Sequence, residues 1–357
     1  MNQPPAPFSC TYNPQLPELL NQLGCTILIS TYQAGKVICL SAVDDNKLVQ
    51  LPRNFQKPMG IALSDDGQKI AIATKDNIQI TKNSKQLAEF YPNQPNTYDA
   101  LYMPRATYYT GQVDIHDLHW GDAGLWAVNT SFSALCLINE EYSFEPKWQP
   151  KFITKLASDD RCHLNGLAMV NGKPKYISAL GTKDAGGSWR KSITNGGVLI
   201  DIDANENVLE NLPMPHAPRW HDNNLYLCLS ATGQIAVADL RKGTYSVFNK
   251  LNGFIRGMAI YGDYMFVGLS KLRQNSSTFK HLEIALTANE SGIVIFHIPT
   301  AAKVGQVSYQ ASVDEIYDIQ ILPNTRRPNI LNAEKEAYKL GLSIPGKTFW
   351  SAPKKEA

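Results

Sequence analysis

No stretch of this 357-residue chain stays apolar for the roughly 20 residues that a membrane-spanning helix needs. Neither charge sign is in excess. The 34 Lys and Arg stand against 32 Asp and Glu, a net charge of +2, which speaks against the basic stripe of a nucleic-acid binder. Charged residues make up only 18% and hydrophobic residues 43%, the balance of a globular chain rather than a disordered one. Residues 1–12 are proline-rich and lack a basic segment followed by an apolar one, so no secretory signal is expected. Cys10, Cys25, Cys39, Cys136, Cys162 and Cys228 form no C-x-x-C pair, which removes zinc-ribbon and thioredoxin motifs. They read as free, buried thiols in a reducing compartment, and a cytoplasmic location is expected. The G-x-S-x-G elbow, the G-x-x-x-x-G-K-[ST] loop and H-x-E-x-H-like motifs are all missing.

What is present is a succession of short apolar strands broken by turns. Cys25–Ser30, Lys36–Ser41, Gly124–Asn129, Gln234–Asp239 and Tyr264–Ser270 are examples, with Asp65-Asp66-Gly67 and Asn171-Gly172 among the turns. Helical patterns are confined to Leu16–Leu23 and Ala333–Leu340. A six-residue unit recurs, beginning at Lys57, Asp114, His163, His216, Phe254 and Glu315. Its copies start 38 to 61 residues apart, about 52 on average, which fits a four-stranded propeller blade with variable loops. The expected fold is all-β: a six-bladed β-propeller, single domain, over residues 25–323. Closure of the ring requires the strand at Cys25–Ser30 to pair with the C-terminal blade. Residues 1–24 read as an N-terminal arm and 324–357 as a C-terminal extension, each with a short helix; Lys354-Lys355 reads as solvated surface.

The innermost strand of a propeller blade lines the axis. If strand alternation holds through the unit, its first and third positions point the same way. The first column is Lys57, Asp114, His163, His216, Phe254, Glu315; the third is Met59, His116, Asn165, Pro218, Arg256, Tyr317. Three of the seven histidines, two carboxylates, an Asn and an Arg would then converge at one mouth. One reading is a divalent metal site in which His116, His163 and His216 supply nitrogen and Asp114 or Glu315 supplies oxygen, a donor set suited to zinc, iron or manganese. A second is a metal-free ligand pocket. A third is a hydrogen-bonded polar plug. In an enzyme, His116, His163, His216 and Glu315 are the candidate catalytic acids and bases, and Arg256 would stabilise negative charge. His119 and His221 fall at the sixth position and are expected to be structural.

The loop 181–197 is long and glycine-rich. Its Trp189 could stack on a substrate and Arg190 could pair with a carboxylate or phosphate; packing on a neighbouring blade is the alternative. Arg105, Asn165 and Lys271 complete the candidate substrate contacts, with Arg273 beside Lys271, and together the cations suggest an anionic ligand. Cys162 adjoins His163, but neighbouring strand residues face opposite ways, so a thiolate–imidazolium pair is not expected. Trp120, Trp126, Trp148 and Trp220 read as packing between blades.

Several separated motifs resemble a bacterial family of conserved hypothetical proteins, the domain-of-unknown-function 4915 family. They are Ser30-Thr-Tyr-Gln-Ala-Gly-Lys36, Pro104-Arg-Ala-Thr107, His116-Asp-Leu118, Arg161-Cys-His-Leu-Asn-Gly-Leu-Ala-Met169, Pro215-His-Ala-Pro-Arg-Trp-His221 and Gly268-Leu-Ser-Lys-Leu272. The resemblance spans roughly residues 20–330 and implies a propeller without carrying an activity over. Asn165-Gly166 is also distantly similar to the cation-binding Asn-Gly of gluconolactonase- and paraoxonase-like six-bladed propellers. Their acidic Ser-Asp-Gly motif has no counterpart here, because Asp65-Asp66-Gly67 falls in a hairpin turn. Two function classes stay open. One is an enzyme acting on a small polar or anionic metabolite at the channel site. The other is a non-catalytic ligand-binding or protein-interaction scaffold, in either case with no nucleic-acid or membrane partner.

Overall fold

The computed structural model describes residues 4–272, 279, 281–334 and 336–352. Arg273 and Lys354-Lys355 lie outside them. Six sheets of four or five strands, antiparallel except for one added edge strand, surround a central channel. The innermost strands, in chain order, are Ile61–Leu63, Ile115–Gly121, Leu164–Val170, Pro215–His221, Phe254–Tyr261 and Asp318–Leu322. These follow or contain the six repeat units, so each unit opens one blade. The sixth blade is composite: Asp318–Leu322 pairs with Thr26–Thr31, which is followed outward by Lys36–Ala42 and Leu48–Asn54. This is the closure that the strand pattern requires.

Apolar side chains between neighbouring sheets form the core. Between the second and third blades, for example, Val128 and Leu135 pack with Leu167 and Ile177, all fully buried. A second set of contacts joins blades nearer the channel. At the end of the second strand of four blades a buried hydroxyl donates to a carbonyl in the repeat unit of the next. Thr130 donates to Leu164 O, Ser230 to Ile255 O, Ser270 to Ile316 O and Ser30 to Met59 O. The four hydroxyl residues are themselves buried, so each bond ties neighbouring blades together away from water.

Both terminal extensions are built into the ring. Cys10–Tyr12 adds a fifth strand to the fifth blade, and Leu16–Leu23 forms the expected helix, ended by Gly24 at φ 61°. At the other end Pro328–Ile330 adds a parallel strand to the first blade. The second helix is shorter than its pattern suggested, covering Ala337–Leu340, and leads into a hairpin of Gly341–Ile344 and Lys347–Trp350. Trp350 anchors that hairpin, its indole N–H donating to Leu87 O and its ring lying edge-on to Tyr91.

Candidate functional site

The four complete inner strands of the middle blades each carry a register irregularity at the repeat unit: between Ile115 and Leu118, Leu164 and Gly166, His216 and Arg219, and Ile255 and Met258. Lys57, Asp114 and His163, at the first position, have φ near +50°. Simple alternation therefore breaks there, and bulges of this kind re-aim side chains. Asp114 is the clearest departure from expectation. Its side chain is exposed, and it contributes its backbone carbonyl, not its carboxylate, to His116 Nδ1 at 3.2 Å.

The fourth position, which alternation assigned to the opposite face, also enters the channel. Around the ring it reads Gly60, Asp117, Gly166, Arg219, Gly257, Asp318, alternating glycine with a charged residue. A Cβ on Gly60 would stand 2.9 Å from Asp117 Cα, and one on Gly257 2.8 Å from Asp318 Cα, so the glycines let neighbouring inner strands close up. The charged members form a buried triad. Arg219 lies 3.2 Å from Asp117 and 3.6 Å from Asp318, and its Nε donates to Met258 O at 2.9 Å. Burial pushes the Asp117 carboxyl up, but Arg219 and His119 outweigh it and hold it well below the usual carboxylate range. Burial, followed by the Asp117 charge, raises Asp318 to about 6 against the pull of Arg219. His119 lies 3.2 Å from Asp117, and His221 lies 3.4 Å from Asp222. The three share one column of the repeat, the one that strict alternation sends to the opposite face.

Next to this floor, His116 and His216 sit in matching settings. Thr130 and Ser230 each give their one proton to the next blade's carbonyl, so each hydroxyl oxygen accepts from the imidazole Nδ1–H, at 2.8 Å for His116 and 2.9 Å for His216. Nδ1 also faces Asp114 O or Met214 O. The proton is thereby fixed on Nδ1, and the Nε2 lone pair is left for the channel. Burial, followed for His116 by the charges of His163 and Arg256 and for His216 by that of Arg256, keeps both imidazoles neutral well below their ordinary pKa.

An arc of rings continues from His116. His163 packs against it edge-on at 4.8 Å and against Trp189 at 4.1 Å, and Tyr317 lies 5.6 Å from His116 on the other side. Asp160 accepts from both His163 Nδ1, at 3.0 Å, and Trp189 Nε1, at 2.9 Å. Trp189 is thus a buried wall behind His163, and Arg190 stacks over it, 3.6 Å from Asp160. Arg256 lies 3.7 Å over the Tyr317 ring and 3.5 Å from Glu315. Lys271 is 3.0 Å from Asp314. Arg105 is not brought to this region: it lies exposed on the outer strand Ala100–Tyr109, bonded to Ser84 and Ser343.

Two spaces that share His216 and Arg256 result. A mouth pocket of about 390 Å³, partly open to solvent, is lined by His163, His216, Arg256, Lys271, Glu315, Gln33 and Ser270 together with Leu180, Met214, Phe254, Leu272 and Phe279. An inner cavity of the channel is lined by His116, Asn165, His216, Arg256, Tyr317 and the triad. Among the described residues, no three His, Cys, Asp or Glu side chains are grouped to hold a metal ion. Asp114 is exposed, and the charge of Arg256 acts on both His116 and His216. Cys162 is fully buried in the core between the second and third blades, its thiol pushed up to about 12 by burial.

A family model described as "Domain of unknown function (DUF4915)" matches residues 14–331, and the chain belongs to that family. No curated protein matches the sequence. Among solved structures, one described as "Crystal structure of Nidogen/Laminin Complex" superposes with a TM-score of 0.53 at 9% identity, covering 84% of this chain and 99% of that chain. At that identity the likeness is one of fold.

Proposed function

We propose that this member of the DUF4915 family binds a small polar or anionic metabolite in the mouth pocket. The observation that carries the reading is the convergence of Arg256, Lys271, His163 and His216, with Glu315, Gln33 and Ser270, on one concave space that also has apolar walls, a mixture common in small-molecule sites. Arg256 offers planar donors to a carboxylate, and its stacking on Tyr317 holds the guanidinium in place. The locked Nε2 lone pairs favour proton transfer as the chemistry, with His216 the candidate base because it lines both spaces. Six free cysteines support a reducing, cytoplasmic setting. No helix of the described residues is long and apolar enough to cross a membrane.

A thermal-shift screen of small mono- and dicarboxylates and sugar acids tests the binding reading. A true ligand at 100 times its Kd should stabilise the fold by about 2.7 kcal/mol, and Arg256→Gln should abolish the shift. No shift from any compound, or an unchanged shift in the variant, overturns it. A protein-contact role has one observation in its favour: Leu342, Ile344 and Phe349 of the C-terminal hairpin are 50%, 56% and 48% exposed. A Leu342→Ser, Phe349→Ser variant that leaves every interaction of the purified protein unchanged removes that second reading.

A further inference from the structure

The charges at the mouth pocket come in pairs of opposite sign. Arg256 lies 3.5 Å from Glu315, with both side chains largely buried, and Lys271 lies 3.0 Å from Asp314. The two cations that line the pocket therefore each have a carboxylate at hand. His216 adds an acceptor and no positive charge, because its proton sits on Nδ1 and its ring is neutral. A simple anion seated on Arg256 would also stand beside the Glu315 carboxylate, and like charges side by side oppose binding. A phosphate monoester, more highly charged, fares worse. A ligand that carries both signs close together satisfies the pair. A guanidinium has several N–H donors, and a carboxylate oxygen accepts more than one hydrogen bond. Neither Arg256 nor Glu315 need release the other to take up such a ligand.

The apolar walls form one surface. Leu180, Met214 and Phe254 belong to a single buried cluster, and Leu272 and Phe279 pack against it. The Phe254 ring centre lies 5.7 Å from that of Phe279 and 6.4 Å from that of His216, so the apolar wall begins where the polar one ends. Charged pair and apolar wall line the same space of about 390 Å³, within the size range of small-molecule sites.

An α-amino acid joins these three features on one carbon: a carboxylate, an ammonium and a side chain. We propose that the mouth pocket takes a free α-amino acid with an apolar side chain, its carboxylate on Arg256, its ammonium on Glu315 and its side chain against Leu180, Met214 and Phe254. This ligand class rests on the small-molecule reading of the mouth pocket and narrows it. A peptide fits less well, since its terminal charges are separated by at least one amide unit, whereas Arg256 and Glu315 stand side by side.

Isothermal titration calorimetry of the full chain at pH 7 tests the assignment. The probes are L-leucine, isocaproate, which lacks the ammonium, and isoamylamine, which lacks the carboxylate. L-valine, L-methionine and L-phenylalanine, each with its deaminated and decarboxylated counterpart, cover other apolar side chains. The expected result is that at least one of these amino acids binds about 10-fold or more tightly than either counterpart. Glu315→Gln should erase that preference by weakening the amino acid while leaving the deaminated compound as it was. The ligand series on the unaltered protein decides the matter even where the variant fails to fold. Isocaproate binding as tightly as L-leucine, and likewise through the series, overturns the amino-acid assignment and leaves anion binding at the mouth intact. Isoamylamine binding as tightly overturns both, because Arg256 then contributes nothing. If no amino acid binds, the assignment falls, and the carboxylate and sugar-acid screen judges the broader reading by itself.

Discussion

Replacing Arg219 with methionine should weaken the fold more than any other single change in the channel. Methionine keeps the length of the side chain and removes its charge. Asp117 and Asp318, both buried, would then face each other with no cation between them, and the carbonyl of Met258 would lose its donor. Breaking a buried ion pair from one side costs about 3–5 kcal/mol, because a charge is left uncompensated. Unfolding entropy of about 2.1 cal/mol/K per residue, applied to 357 residues, turns that into a fall in melting temperature of about 4–7 °C. The triple variant Asp117→Asn, Arg219→Met, Asp318→Asn keeps the shapes without the charges and should recover most of the loss. The single variant should also regain stability as pH falls toward 5, where its stranded carboxylates take up protons. Melting curves of the three proteins at pH 7 and pH 5 decide it. A loss below about 1 kcal/mol in Arg219→Met, or a triple variant no better than the single, would refute the idea that the guanidinium balances two buried carboxylates.

Other consequences can be checked independently. Asp318 is raised to about 6 in the fold from an ordinary 3.8, so its stabilisation is full below pH 3.8 and is lost as pH rises through about 6. Asp318→Asn should flatten that part of the stability–pH curve, and an unchanged slope counts against it. Ser230→Ala removes the donor to Ile255 O and should cost about 1–3 kcal/mol. It should also shift the His216 ring nitrogens in NMR spectra as the tautomer loosens; spectra identical to wild type would show that the hydroxyl does not hold the proton on Nδ1. Gly257→Ala puts a methyl 2.8 Å from the Asp318 backbone, which should cost about 1–3 kcal/mol by overpacking; an unaffected melting temperature would mean that the inner strands are not packed at the limit.

The ring could be read from the sequence because each blade opens with the same polar-to-apolar unit and each hairpin is marked by a turn. The interior of the channel was only half legible. His116, Asn165, Arg256 and Tyr317 at the third position, and His163, His216 and Glu315 at the first, do gather at one mouth or the cavity beneath it. Asp117, Arg219 and Asp318 escaped because strict alternation sends the fourth position to the other face, whereas the bulged strands bring it in. Asp114 is exposed, and it is its backbone carbonyl that meets His116. Arg105 adjoins the next unit in sequence but occupies the outermost main strand of its blade, a distance that linear proximity hides. The glycine-rich loop read equally as a lid or as an ordered loop with Trp189 packed on a neighbouring blade. A single carboxylate, Asp160, ties its Trp189 down.

The composite sixth blade has a consequence for how the molecule is made. Ser30 meets Asp318 across 288 positions of chain, so during synthesis the N-terminal three strands wait, partner-less on their channel side, while five blades emerge. Glu315, Tyr317 and Asp318 are among the last parts of the ring to leave the ribosome. A chain stopped before Glu315 lacks the anion beside Arg256, the hydroxyl in the inner cavity and one arm of the triad. Any chemistry in this channel switches on only after the chain has been made through Asp318–Leu322, the strand that completes the sixth blade.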